Sequence, residues 1–353
     1  EDNSYGFRLC CPAGQAAADQ VTVSFDANGG SGTMAVVSVG VGGSMVMPTV
    51  AFSRDGYDFA GWATSASGDV VYADGATVPD VTTNMTLYAK WVRRLTQTYV
   101  VVDLSAGADA TSYPVSELSS VPSGGWSDTY KTTKLVLRRI VNGSFTMGSR
   151  STDGPGESDS NLHLVTISKP FYLGVFEVTQ KQYELVMGSK PSYFSNSSCY
   201  AKRPVERVSY NMIRGGSDGA KWPASNSVDG SSFMGMIRAR TGLIFDLPTE
   251  AQWEYACRAG TTTALNSGKN LTATGYDNNM DAVGRYWYNF PSGNTSYSSS
   301  SDLTAGTAAV GSYKANNWGL YDMHGNVYEW CLDWYQSSLG TSTATDPKGA
   351  ASV

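Results

Sequence analysis

Histidine is almost missing from this chain, with two among 353 residues, His163 and His324. That excludes a metal centre built on three histidines, and neither lies in an HExxH frame that would set two imidazoles on one helix face. Charge is scarce too. Asp, Glu, Lys and Arg together make 16% of the chain, against about 25% in ordinary soluble domains. The net charge of −6 supplies no basic face, so nucleic acid is excluded as a partner. No apolar run reaches the length of about 18 residues that a membrane span needs. Cysteine numbers five, two of them adjacent (Cys10, Cys11), which does not make a disulfide scaffold and constrains the redox compartment little. The sequence opens with neither an initiator Met nor a signal peptide, as expected of a processed chain or an excised fragment.

What the chain has instead is glycine (38) and aromatics (12%). That balance points to turn-rich, weakly charged surfaces of the kind found in extracellular β-rich proteins. The charge is uneven. Residues 1–92 hold nine acids and three bases, which accounts for the whole −6. The step predicts a domain boundary near residue 92.

Residues 20–92 alternate short strands with turns. Val21–Phe25 has period 2 and runs into Asn28-Gly29-Gly30, where a positive φ costs little. Arg54–Trp62 and Met85–Trp91 set aromatics beside glycines and at alternate positions. The motifs FDANGG, GYDFAGW, a following DG turn and LYAKW resemble the Listeria–Bacteroides repeat, also called the internalin-type B-repeat. The resemblance implies a small β-grasp-like module serving as a spacer or stalk unit on bacterial surface proteins, without catalysis. Tyr57, Phe59, Trp62, Tyr88 and Trp91 are its expected core, since aromatics must supply most of the buried area in so short a module.

Residues 93–134 mix Ser, Gly and Pro with one β-prone run, Thr98–Leu104, and read as a connector. From Lys134 the texture changes. Leu135–Ile140 and Gly143–Gly148 read as strands, and His163–Ile167 alternates. Two helices announce themselves by their caps: Thr179 with Gln182, and Thr249 with Gln252.

These segments resemble the formylglycine-generating enzyme family, also called sulfatase-modifying factors. The resemblance rests on FTMGS (145–149), EVTQKQY (177–183), RPVERVSY (203–210), LPTEAQWEYACRAG (247–260) and WGLYDMHGNVYEW (318–330). It implies an irregular, C-type-lectin-like α+β domain over residues 135–353. Active members oxidise a sulfatase cysteine to formylglycine with molecular oxygen and a copper ion held by two cysteines. Relatives include iron-dependent sulfoxide synthases and non-enzymatic variable receptors. In the family the cysteine pair follows the GNxWEW segment within a block that this chain does not reach, and only Cys331 follows the turn. Copper is therefore not expected, and the domain is expected to be incomplete and not catalytic as given. The iron-dependent branch would need three histidines.

At the other end, Asn3–Cys10 resembles the last strand of the same family's domain. Two arrangements account for it. Residues 1–19 are the remnant of a preceding similar domain in a tandem array, or residues 1–11 complete the domain at 135–353. The first is favoured.

The resemblance also implies a calcium site at Asp322 and Glu329 (side chains) with Gly325 and Val327 (carbonyls); calcium takes six to eight oxygen ligands. The alternative is that the two acids only cap the turn. At a second family site, Asp302 and the Thr304 carbonyl match, but Arg285 stands where the family has Asn, so an Arg285–Asp302 ion pair is expected in place of the ion. Glu250 and Glu254 are four apart on one helix face and are expected to be structural rather than an acid/base pair, as is His324. Cys257 resembles a family disulfide cysteine whose partner lies in the missing block, and it is expected free. Cys199 has no evident mate, with Cys10 and Cys11 left open. Tyr297–Ser301 is low in complexity and is expected to be a surface loop.

The functional expectation is an exported or bacterial surface protein, with further tandem domains, that displays the lectin-like domain for a protein or glycan ligand. The alternative is a formylglycine-generating oxidase whose cysteine segment is absent from this chain.

Overall fold

The structure is a computed structural model describing residues 19–68, 70–155, 160–195, 198–289 and 306–350. The N-terminal family remnant, Asp302, Thr304 and the Tyr297–Ser301 run all lie outside the described residues. The chain divides into two units, Glu1–Arg94 and Leu95–Val353.

The first unit is built of β1 (Gln20–Asp26), β2 (Val37–Gly40), β3 (Gly43–Val46), β4 (Tyr57–Ala63), β5 (Thr77–Val81) and β6 (Met85–Arg93). One sheet has the order β2-β1-β6-β4, and β3 pairs with β5. β1 and β6 run parallel, with Phe25 opposite Leu87. Trp62 is fully buried and its ring meets Phe25, Phe59 and Phe52 at 5.0, 4.9 and 6.0 Å. Gly30 is required by close approach, since a Cβ there would stand 2.6 Å from the Trp91 ring. That indole donates back to the Ala27 carbonyl at 2.8 Å. Two of the five expected core aromatics lie elsewhere. Strand alternation turns Leu87 and Ala89 into the core and so carries Tyr88 to the other face. Tyr57 lies under the Arg54 guanidinium, 4.1 Å from its ring centroid.

The second unit begins with β7 (Tyr99–Asp103) and β8 (Val115–Leu118), then β9 (Lys134–Ile140), β10 (Gly143–Ser149), β11 (Ser160–Ile167) and β12 (Phe171–Gly174). Short helices follow: α1 (Gln180–Met187), α2 (Tyr210–Arg214), α3 (Phe233–Thr241), α4 (Glu250–Arg258) and α5 (Asn278–Asp281), with a late two-residue strand β13 (Ala344–Thr345). The result is a mixed α/β unit with few helices. One sheet runs β12-β9-β7-β8 and the other β10-β11-β13. Residues 99–118, which read in the sequence as connector, carry two strands. Tyr99, Val100, Val101 and Val102 are all buried, and β7 lies between β8 and β9. A continuous apolar run of this kind is what a central strand needs on both faces.

Both capping boxes form as the sequence predicts. Gln182 N donates to Thr179 Oγ1 at 3.3 Å while Gln182 Oε1 accepts from Thr179 N at 2.8 Å. Thr249 and Gln252 repeat the pattern at 3.2 and 3.0 Å. The boxes fix where α1 and α4 start, and hence where Glu177 and Glu250 stand. Apolar clusters lie under α4 (Ile140, Val165, Leu320) and between α1 and α3 (Tyr183, Phe233, Ile237).

Candidate cation cradle and aromatic cleft

The segment from Asp322 to Trp334 contains no helix or strand, so its shape is set by backbone turns and side-chain ties. Asp322, Gly325 and Asn326 all have positive φ (57°, 85° and 65°). Gly325 admits no side chain, because a Cβ there would be 2.1 Å from the Arg285 carbonyl oxygen. Asn326 locks the turn to three other segments. Its amide donates to the Arg285 carbonyl at 2.7 Å, its Oδ1 accepts from Ala308 N at 2.8 Å, and its Nδ2 donates to Glu177 Oε2 at 2.7 Å.

Of the four sequence-predicted ligands, Asp322 is 2% exposed. Its Oδ2 accepts from Gly311 N at 2.6 Å, whereas Oδ1 is buried without a hydrogen-bond partner. Burial pushes its pKa up to about 6, against the pull of the Gly311 amide and of Lys131. Gly325 and Val327 form a tight turn in which Val327 N donates to the Gly325 carbonyl at 2.9 Å. Glu329 keeps an exposed face, but packing around its carboxyl group raises its pKa. Trp253 opposes that rise and Asp322 reinforces it.

Glu177 was not among the sequence-predicted ligands, yet its carboxylate is tied to the same turn through Asn326. Its Oε1 is buried and unpartnered. Its pKa is raised well above the carboxylate range by burial first, then by repulsion from Asp322 and Glu329, with Asn326 and the Val327 amide pulling the other way. A buried carboxylate oxygen with no donor is costly and calls for an explanation. A hard cation is one that the chemistry supplies: two bare carboxylate oxygens beside a turn with two carbonyls are oxygen donors of the kind calcium takes. Among the described residues no three His, Cys, Asp or Glu side chains stand grouped as a metal centre.

Beside the turn opens a cleft of about 1300 Å³. Its wall carries Tyr210, Tyr328, Trp330 and Trp334, with Glu250 and Asp333 among them. Tyr210 stacks on Trp334 at 6.5 Å between centroids and meets Trp330 edge-on at 6.0 Å. The polar atoms of these rings are already engaged. Trp330 Nε1 donates to the Val208 carbonyl and Trp334 Nε1 to the Trp222 carbonyl, both at 2.9 Å. Arg214, buried and paired with Asp246 at 2.7 Å, donates to Tyr210 Oη at 3.1 Å. Tyr328 is fully exposed and Trp330 half exposed. Glu250 N donates to Asp333 Oδ2 at 2.7 Å, and burial raises the pKa of both carboxyl groups.

The other chemistry-bearing residues have structural employment. Glu254 accepts from Gly148 N at 3.0 Å and pairs with Arg258 at 2.7 Å. His324 Nε2 accepts from Asn266 N at 2.9 Å. Burial, with help from Arg258, lowers its pKa to about 4, so the ring is neutral with the proton on Nδ1. Arg285 donates to the Asn289 carbonyl at 2.9 Å; its expected pairing with Asp302 falls outside the described residues. Cys257 donates to the Met323 carbonyl at 3.4 Å. Burial pushes both its thiol and that of Cys331 up to about 12. Copper(I) favours thiolate donors, and these two described thiols, held protonated, do not fit a copper pair. No step is derived through copper.

Residues 127–351 match the sulfatase-modifying factor enzyme 1-like domain, and residues 22–90 match the Listeria–Bacteroides repeat domain. Among curated proteins, the chain is similar to a chaperone protein, LppX, of Paenibacillus barcinonensis. The two are 34% identical over 208 residues, 53% of this chain and 69% of that one. It is 27% identical over 250 residues to the formylglycine-generating enzyme of Mus musculus, covering 62% of this chain and 63% of the enzyme. Among solved structures, Treponema denticola variable protein 1 aligns over 62% of this chain and 80% of its own, with TM-score 0.41 and 23% identity. PvdO from Pseudomonas aeruginosa aligns over 61% and 78%, with TM-score 0.39 and 24% identity.

Proposed function

The chain belongs to the sulfatase-modifying factor enzyme 1-like family, and within that family we propose that it works as a binding domain. A protein or glycan ligand enters the aromatic cleft, whose floor is the 322–329 turn, held by a structural calcium ion at Asp322, Gly325, Val327 and Glu329. The observation that carries this reading is the state of the cleft wall. Tyr328 and Trp330 are exposed, while the indole N–H groups of Trp330 and Trp334 are already bonded to the protein's own carbonyls. Such a wall offers stacking area at a fixed orientation and costs little side-chain entropy on binding. Glu250 and Asp333 add acceptors at its edge. The Listeria–Bacteroides repeat at 22–90 fits display outside the cell or at a bacterial surface, as a spacer beside the binding unit.

The second reading, oxidation of a sulfatase cysteine, is favoured by the similarity to named formylglycine-generating enzymes. Cys257 and Cys331 argue against it, because burial raises the pKa of both thiols. A glycan and peptide array probed with the wild type and with Tyr328→Ala tests the binding reading. Tyr328 is fully exposed, so its loss should move stability by less than about 0.5 kcal/mol. Binding to the captured ligand should fall about tenfold. Equal array signals from the two proteins would contradict a role for this wall.

A further inference from the structure

We propose that the aromatic cleft takes a primary ammonium group on an aliphatic stem, the side chain of a lysine on a protein partner, with Glu250 and Asp333 as its counter-charge. This rests on the reading of the cleft as a binding site and names the chemistry that the site accepts.

The charge around the cleft is one-sided. Glu250, Glu329 and Asp333 line it, against Arg285 as the base in the lining. Arg285 is already engaged, its Nη1 donating to the Asn289 carbonyl at 2.9 Å. The charges that act on Glu250 are those of Asp333 and Glu254, both negative, and Glu254 is answered by Arg258 at 2.7 Å. Asp333 Oδ2 accepts from the Glu250 amide at 2.7 Å, a bond that fixes the carboxylate without neutralising it. Glu250 and Asp333 are thus partly withdrawn from water, and Asp333 repels Glu250. An entering cation relieves that repulsion.

The rings suit the stem and the charge together. Trp330 crosses Tyr210 at 75° whereas Trp334 lies at 25° to it, so the three make a corner rather than the flat platform on which a sugar ring stacks. A slender methylene chain fits a corner, covering apolar ring surface along its length. A cation within about 6 Å of an indole is attracted by the ring's quadrupole. Tyr210 braces the two indoles, since the Arg214 guanidinium already sits 5.7 Å from its ring centroid and is paired with Asp246 at 2.7 Å. An arginine fork asks for both oxygens of one carboxylate, and Asp333 has spent Oδ2 on the Glu250 amide. The compact ammonium of lysine makes no such demand.

The test is tryptophan fluorescence of the full chain, titrated with a blocked tripeptide that carries a central lysine. Saturable binding is expected, and it should weaken at least tenfold when the lysine is acetylated on its side-chain nitrogen or replaced by norleucine, which keeps the stem and loses the charge. This comparison needs no variant and so does not depend on any mutant folding. Glu250→Gln should weaken the lysine peptide at least tenfold, with Asp128→Asn, an exposed partner of Lys202, as the unaffected control. Equal affinity for the charged and acetylated peptides would overturn the proposal, as would tighter binding of glucosamine or of the arginine peptide. Silence toward the lysine peptide beside a Tyr328-dependent array signal would overturn this inference alone. Silence beside array signals that ignore Tyr328 would overturn the cleft reading with it.

Discussion

Asn326 and Glu177 are 149 residues apart in the chain and share a hydrogen bond of 2.7 Å from Nδ2 to Oε2. The same asparagine accepts from Ala308 N and donates its own amide to the Arg285 carbonyl. One residue thus fastens together the turn, the entry to α1 and two loops, its side chain holding Glu177 and Ala308 and its backbone amide the Arg285 carbonyl. Asn326→Ala should therefore destabilise the second unit by about 2–4 kcal/mol, since it strands the Ala308 amide and a buried carboxylate oxygen. Chemical denaturation monitored by near-ultraviolet circular dichroism reads this. A change under about 0.5 kcal/mol would mean that the turn holds itself.

If the 322–329 turn binds calcium, the folded state is favoured by mass action. At a hundredfold excess over the dissociation constant the gain is about 2.7 kcal/mol, which a melting curve resolves readily. Asp322→Ala removes the bare Oδ1 together with the Gly311 acceptor. It should lower the melting temperature and abolish the calcium response. A variant that still responds fully to calcium would sink the site.

Asp346 provides a pH signature on the other sheet. The Ser168 hydroxyl, then its amide, hold the Asp346 carboxylate below the ordinary range, the amide at 2.8 Å. A depressed folded-state pKa stabilises the native form above the unfolded-state value of about 3.9 and ceases to do so as pH falls through the lower folded value. Asp346→Asn should cost under about 1 kcal/mol near neutral pH, because the residue is exposed. The difference from the wild type should close in acid. A gap that stayed constant down to about pH 2 would show that the carboxylate's charge contributes nothing.

Much of the architecture was legible because it is written locally. Thr179 and Thr249, each three residues ahead of a glutamine, fix two helix starts through bonds that span a single turn. The alternation in Val21–Phe25 and Met85–Trp91 likewise declares strands. Misplaced features depend on partners distant in the chain. Thr98–Leu104 could be seen as β-prone, but its central place depends on pairing with Lys134–Ile140 on one side and Val115–Leu118 on the other. Tyr88 looked like core until its neighbours Leu87 and Ala89 took the inward positions.

The candidate site divides in the same way. Asp322, Gly325, Val327 and Glu329 lie within eight residues, so a turn motif exposes them. Glu177 lies in the EVT motif, where it reads as the residue two before a helix cap. Nothing nearby signals that its carboxylate reaches the turn. The available signal was chemical rather than positional: an acid beside buried Phe176 and Thr179 needs a partner. The Tyr210–Trp330–Trp334 wall is visible in the sequence as an aromatic excess, but its assembly depends on buried Arg214 and its half-buried partner Asp246, 32 residues apart.

The binding and oxidase readings part most directly in one measurement: mass spectrometry of a cysteine-bearing sulfatase peptide incubated with this chain, copper(I) and oxygen. The binding account predicts that the peptide's cysteine is recovered unchanged in amounts equal to a protein-free control. Accumulation of the formylglycine aldehyde in proportion to the protein added would contradict it.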